Sequence, residues 1–91
     1  MLRYNVDLNI DQNKAILTNY IRSDFTLTDQ EVHEFIELID LIQDKDVANF
    51  SSLVLRCRCT NRTMMINLGN IDSLGTRTIV KSDSIIQSLF W

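Results

Sequence analysis

His33, Glu34 and Glu37 lie in the run HEFIE, which sets an imidazole and a carboxylate four residues apart. Four residues are about one helical turn, so His33 and Glu37 can meet on one face as metal ligands do. The H-E-x-x-H pattern of a metallohydrolase needs a second histidine, and this chain has only His33. A zinc site would have to recruit Asp or Cys from elsewhere. The sequence therefore points to no metal site and no cofactor, and His33 reads as a partly exposed imidazole beside Asp29 and Glu37. Cys57 and Cys59 stand two apart in a predicted strand. Side chains at that spacing share a face, but their Cα atoms lie roughly 7 Å apart, too far for an easy disulfide. They read as reduced core thiols rather than as a reactive pair or metal ligands.

No G-x-S-x-G, P-loop, paired C-x-x-C or glycine-rich phosphate cradle is present, and two glycines leave the backbone little means of wrapping a nucleotide. Carboxylates are plentiful, but a general acid needs a pocket that perturbs its pKa, and these fall in a solvated row. The expectation is a protein that is not an enzyme.

Two charged surfaces remain. The stretch TDQEVHEFIELIDLIQDKD, residues 28–46, holds seven carboxylates and one lysine in a chain of net charge −3. Residues 1–50 carry ten acids and four bases, net −6, whereas residues 51–91 carry two acids and five bases, net +3. On a helix, Asp29, His33, Glu37, Asp40 and Asp44 form a narrow stripe, with Leu41 beside it on the wet side. Such a stripe can be simple solvated surface. It can also meet a partner protein with a basic surface, Leu41 serving as an apolar anchor inside a charged rim. As a third use, carboxylates repeating every 5.4 Å or so imitate the phosphates of a nucleic-acid strand, although the modest net charge weakens that reading. On the basic side Arg56, Arg58 and Arg62, with Arg77 and Lys81 nearby in sequence, can contact phosphates from a sheet face. Those strands lack the interleaved aromatics of a base-stacking platform, and the acidic half repels the rest of a nucleic acid.

These residues need elements to hold them. Leu2, Tyr4, Val6, Leu8 and Ile10 alternate with polar residues, which predicts a strand, and DQNK (11–14) predicts a hairpin turn into a second strand over 15–25. A short helix from Lys14 to Arg22 competes with that second strand. β-branched Ile and Thr, together with adjacent Tyr20 and Ile21 that a helix would point apart, favour the strand. Thr28 with Glu31 makes a capping box that opens a long helix over 28–46, with Leu27 placed to staple against Val32. Its apolar arc is Val32, Phe35, Ile36, Leu38, Ile39 and Ile42. Residues 51–69 predict a second hairpin, with Leu53, Leu55, Cys57 and Cys59 on one face, Val54, Arg56 and Arg58 on the other, and a turn at Asn61–Arg62. TRTIV (76–80) predicts a last short strand, and Ser82 caps a predicted C-terminal helix.

The expected architecture is a single α+β domain over residues 1–91, in which an antiparallel sheet of four or five strands in the order ββαβββα is covered by one long amphipathic helix and a short C-terminal helix. The first residues alternate polar with apolar, unlike a leader peptide, and no apolar run reaches the 18 or so residues of a membrane span. A cytoplasmic protein with no membrane partner is expected. The apolar end IIQSLFW either fills the chain's own core or seals a homodimer. The functional expectation is a small inhibitor or adaptor, of the sort that viruses and mobile elements use to block a host protein that handles nucleic acid. Its contact residues would be Asp29, His33, Glu37, Asp40, Leu41 and Asp44. The alternative is a small nucleic-acid-binding or regulatory domain that uses Arg56, Arg58 and Arg62.

Overall fold

The computed structural model describes residues 2–72 and 75–80. The predicted C-terminal helix, and with it the apolar end proposed for a dimer, lies outside them. In chain order the elements are β1 (Leu2–Arg3), α1 (Ile10–Ser23), α2 (Asp29–Asp40), α3 (Asp44–Asn49), β2 (Ser52–Arg56), β3 (Thr63–Asn67) and β4 (Thr76–Val80). The sheet order is β1-β3-β2-β4. β2 pairs antiparallel with β3, while β1 runs parallel to β3 and β4 parallel to β2. The expected antiparallel sheet under one long helix is thus replaced by a mixed sheet with three shorter helices.

The N-terminal segment departs furthest from its alternating pattern, because its asparagines bond the backbone near them. The Asp7 amide donates to Asn5 Oδ1 at 2.9 Å, and the Leu8 amide donates to the Asn5 carbonyl at 3.2 Å, turning the chain after Tyr4. Asn9 then caps α1: its side chain accepts from the Gln12 amide at 2.8 Å, and the Gln12 side chain accepts from the Asn9 amide at 3.1 Å. Asn13 is buried and fills the turn it closes. Its Oδ1 accepts from the Asn5 amide at 2.7 Å, and its Nδ2 lies within 3.3 Å of the carbonyls of Asn5, Leu8 and Asn9. Residues 4–9 are therefore a turn and a cap, and the helical alternative for 14–22 is the observed one. Asn13, Leu17 and Ile21 make its buried stripe at i, i+4 and i+8, leaving Tyr20 outside. The divergence of Tyr20 and Ile21 is how an amphipathic helix treats two neighbours, and it does not favour a strand.

At α2 the capping box forms as expected: Thr28 Oγ1 accepts from the Glu31 amide at 3.2 Å, and Glu31 Oε1 accepts from the Thr28 amide at 2.9 Å. Phe35, Leu38, Ile39 and Ile42 are buried, with Val32 and Ile36 packed at the margin. The helix does not continue to Asp46. Leu41 and Ile42 close it with short amide bonds to the carbonyls of Leu38 and Ile39, and Gln43 is extended at φ −116°, ψ 160°. Asp46 starts the next helix by accepting from the Gln43 amide at 3.0 Å. The Asp46 side chain is buried against Arg77 of β4, which itself lies 6.0 Å from the Phe50 ring centroid.

In the sheet Leu53 pairs with Ile66 and Leu55 with Met64, the hairpin that the alternation predicts. Leu2, Leu53, Leu55, Ile66 and Ile79 belong to one core with the apolar sides of α1 and α2. β4 follows β3 in sequence but cannot sit beside it, because β1 occupies the outer edge of β3 through Leu2 and Ile66. The chain instead crosses to the far edge of β2. There the Ser51 amide and hydroxyl both donate to the Gly75 carbonyl, at 3.1 and 2.8 Å, and Ser52 Oγ meets Thr76 Oγ1 at 2.9 Å. Gly75 has φ +117°, which a side chain would resist.

Candidate functional site

Of the acidic stripe, Asp29, His33, Glu37 and Asp40 share one side of α2. His33 Nε2 lies 3.4 Å from Glu37 Oε1, with the histidine side chain 81% exposed. The helix break divides the rest of the row. Leu41 is the C-cap of α2, 47% exposed, and Asp44 is the first residue of α3. Regular one-turn spacing therefore ends at Asp40, which removes the geometric basis for a run of phosphate mimics from 29 to 44. In its place is a hollow of about 350 Å³ lined by Leu41, Gln43, Lys45 and Asp46 on the helix side and by Arg77, Thr78, Ile79 and Val80 of the sheet edge on the other. Lys14 Nζ donates to the Asp40 carbonyl at 2.9 Å, setting a cation at the C-terminal end of α2 and tying it to α1.

The arginines do not assemble as one strand face. Arg56 is the last residue of β2, Arg58 lies in the turn that follows, and Arg62 is spent on the fold. The Arg62 guanidinium donates to the Thr26 carbonyl at 2.8 Å and to Thr26 Oγ1 at 2.6 Å, and it stands 3.9 Å from Glu31. It braces the link between α1 and α2 against the tip of the β2–β3 hairpin.

That hairpin tip also holds a cluster of two reduced thiols, of which Cys57 lies in the core as expected and Cys59 does not. β2 ends at Arg56, the Cys57 amide donates to the Arg62 carbonyl at 2.8 Å, and Asn61 takes a left-handed φ of 58° to close the turn. Because Cys59 lies in the turn and not in the strand, the 7 Å separation of strand positions does not apply. The two sulfurs are 3.1 Å apart, unbonded, with Cys57 buried and Cys59 exposed. Both thiols donate to Glu34 Oε2, Cys57 at 2.6 Å and Cys59 at 2.7 Å. The Glu34 carboxylate, by accepting its proton, and the neighbouring Cys57 push the Cys59 thiol up to about 12. Glu34, Cys57 and Cys59 are the group among the described residues whose donor atoms lie close enough together to hold a metal ion. Glu31, one turn earlier on α2, reaches the same hairpin: its Oε2 accepts from Thr60 Oγ1 at 2.9 Å. Its bonds from the Thr28 amide and from Thr60, aided by Arg62, hold its carboxyl below the usual range despite burial. The C-x-C spacing was the available sequence signal for this cluster. What it lacked was any sign that the strand stops before Cys59.

A separate apolar surface lies at the link between α1 and α2. Phe25 is fully exposed in the link between α1 and α2, and it shares a hollow with Tyr20, Ser23, Asp24 and Thr26. Tyr20 and Asp24 border a second hollow with Leu2, Met64 and Met65. No helix among the described residues is long and apolar enough to cross a membrane. No family model matches the chain, and neither a curated protein nor a solved structure matches it.

Proposed function

We propose that the chain is a small non-enzymatic protein-binding domain, an inhibitor or adaptor, that engages a basic partner surface through Asp29, His33, Glu37, Asp40, Leu41 and Asp44. The observation that carries this reading is the helix break. It sets a half-exposed leucine between two exposed aspartates, on the wall of a hollow that it shares with Lys45 and with Arg77, Thr78, Ile79 and Val80 of β4. An apolar anchor within a charged rim is the usual anatomy of an interface hot spot. Carboxylates around it contribute mainly to partner selection and association rate. The exposed Tyr20 and Phe25 supply a second apolar area on the same chain.

The test is capture from nuclease-treated lysate of the source or host, comparing wild type with Glu37→Lys/Asp40→Lys/Asp44→Lys and with Tyr20→Ser/Phe25→Ser, each first shown to be folded. The expected result is a protein retained by wild type, released by salt, and lost with the charge-reversal variant alone. Equal retention by wild type and the charge-reversal variant would refute the assignment of the acidic row. Loss confined to the Tyr20/Phe25 variant would move the interface to that surface.

A further inference from the structure

We propose that Glu34, Cys57 and Cys59 form an open three-ligand site for Zn²⁺ or a divalent ion of similar softness. Three potential ligands converge from two elements that are distant in sequence, the middle of α2 and the tip of the β2–β3 hairpin. The ligand types select the ion. Thiolates favour zinc over magnesium or calcium, and a carboxylate beside them suits zinc better than copper(I), which prefers sulfur throughout.

The geometry is within reach of the metal. With Zn–S near 2.3 Å and Zn–O near 2.1 Å, a tetrahedral site needs the sulfurs about 3.8 Å apart and each sulfur about 3.6 Å from the oxygen. The present separations are 3.1 Å between the sulfurs and 2.6 and 2.7 Å from sulfur to Glu34 Oε2. All three distances must open by no more than about 1 Å. Cys59 is exposed and Glu34 only half-buried, so two of the three side chains have room to make that adjustment without moving the core.

Without the ion the cluster is held by two thiol protons donated to one carboxylate oxygen. Binding replaces those protons: two S–H bonds break, two Zn–S bonds and one Zn–O bond form, and two protons leave to solvent with no change in oxidation state. The fourth position, on the exposed side of Cys59, is filled by water. The ion then ties α2 to the hairpin beside the links that Glu31 already makes to Thr60 and Arg62.

The experiment is a titration of the full chain with Zn²⁺ under a non-thiol reductant, read by competition with a chromophoric chelator. Co²⁺ serves as the spectroscopic stand-in and Mg²⁺ as the control. One Zn²⁺ per chain is expected, with a Co²⁺ spectrum showing thiolate charge transfer and tetrahedral bands, and no response to Mg²⁺. Cys59→Ser, a change at an exposed position, should weaken binding at least roughly a hundredfold, and Glu34→Gln at least roughly tenfold, with two-thiol binding as the residue. Zinc should also protect both wild-type cysteines from alkylation, a readout that needs no variant. Wild-type affinity no better than that of Cys59→Ser, a ratio of one ion to two chains, or unprotected thiols in excess zinc would each overturn the site.

Discussion

Replacing Asp46 with alanine should destabilise the fold by about 2–3 kcal/mol, although Asp46 sits in a charge-rich stretch that looks like plain surface. The residue is 2% exposed. One carboxylate oxygen accepts from the Gln43 amide at 3.0 Å and so begins α3, while the other holds the Arg77 guanidinium on β4. Breaking a fully buried ion pair costs about 3–5 kcal/mol. The Arg77 side chain, however, is 44% exposed, so water takes up much of its charge when the carboxylate is gone. That lowers the expected cost to roughly one or two charge-assisted hydrogen bonds. A domain of this size has a total stability of about 5–14 kcal/mol, so the loss is a large fraction and should lower Tm by roughly 8–20 °C.

Urea denaturation of wild type, Asp46→Ala, Arg77→Met and the double variant closes the cycle. Arg77→Met keeps much of the apolar stem but leaves Asp46 buried without its counter-ion, so it should cost at least as much as Asp46→Ala. The double variant should fall short of the sum of the two by about 1 kcal/mol or more, since the residues are in direct contact. A cost for Asp46→Ala within about 0.5 kcal/mol of zero, or a strictly additive cycle, would refute the account of Asp46 as the buried link between the start of α3 and Arg77 of β4.

Asn13→Ala should cost about 2–4 kcal/mol, because it removes the partner of the Asn5 amide and a donor to three carbonyls in the 5–9 turn. Urea midpoints check the cost, and amide exchange at Asn5 should quicken if that bond is the one lost. Glu31 has its carboxyl held below its ordinary value of 4.5 by the Thr28 amide, Thr60 and Arg62, so its stabilising effect is complete above that value and is lost as pH falls through the depressed folded one. Midpoints measured down an acid series should therefore decline less steeply for Glu31→Gln than for wild type, and parallel acid limbs would dismiss the argument.

What was legible in the sequence is what local rules govern. The Thr28–Glu31 box completes itself within one turn, and the alternation of Leu53 and Leu55 against Met64 and Ile66 survives because a hairpin pairs nearby residues. The N-terminal error has a local cause as well. Alternating apolar residues suggested a strand, yet Asn5, Asn9 and Asn13 were each spaced to bond a backbone a few residues away, and those bonds prevailed. The parallel pairing of β4 has no such signal, and the helix break has only the reach of Asp46 back to the Gln43 amide. No Pro or Gly stands between Asp40 and Asp44; α3 is opened by Asp46 accepting from the Gln43 amide, while Arg77, 31 residues later, holds the other carboxylate oxygen. The thiol cluster depends on Glu34, 23 and 25 residues before its sulfurs.

These long-range links also change what the acidity of residues 28–46 means. Seven carboxylates in nineteen residues suggest a uniformly acidic surface, but three of them are engaged across the fold. Glu31 meets Thr60 and Arg62, Glu34 meets the two thiols, and Asp46 meets Arg77. Those three face the sheet and hairpin because each finds a donor there, and a charge with a donor can be buried where a bare one cannot. Asp29, Glu37, Asp40 and Asp44 are the carboxylates of the proposed contact row. Asp40 and Asp44 flank Leu41 while Asp29 and Glu37 lie further back along α2, so the acids make a short rim and a few turns of helix and not a long acidic track. A bound protein should therefore be released by salt and by charge reversal along that rim, and weakened as well by loss of the Leu41 side chain.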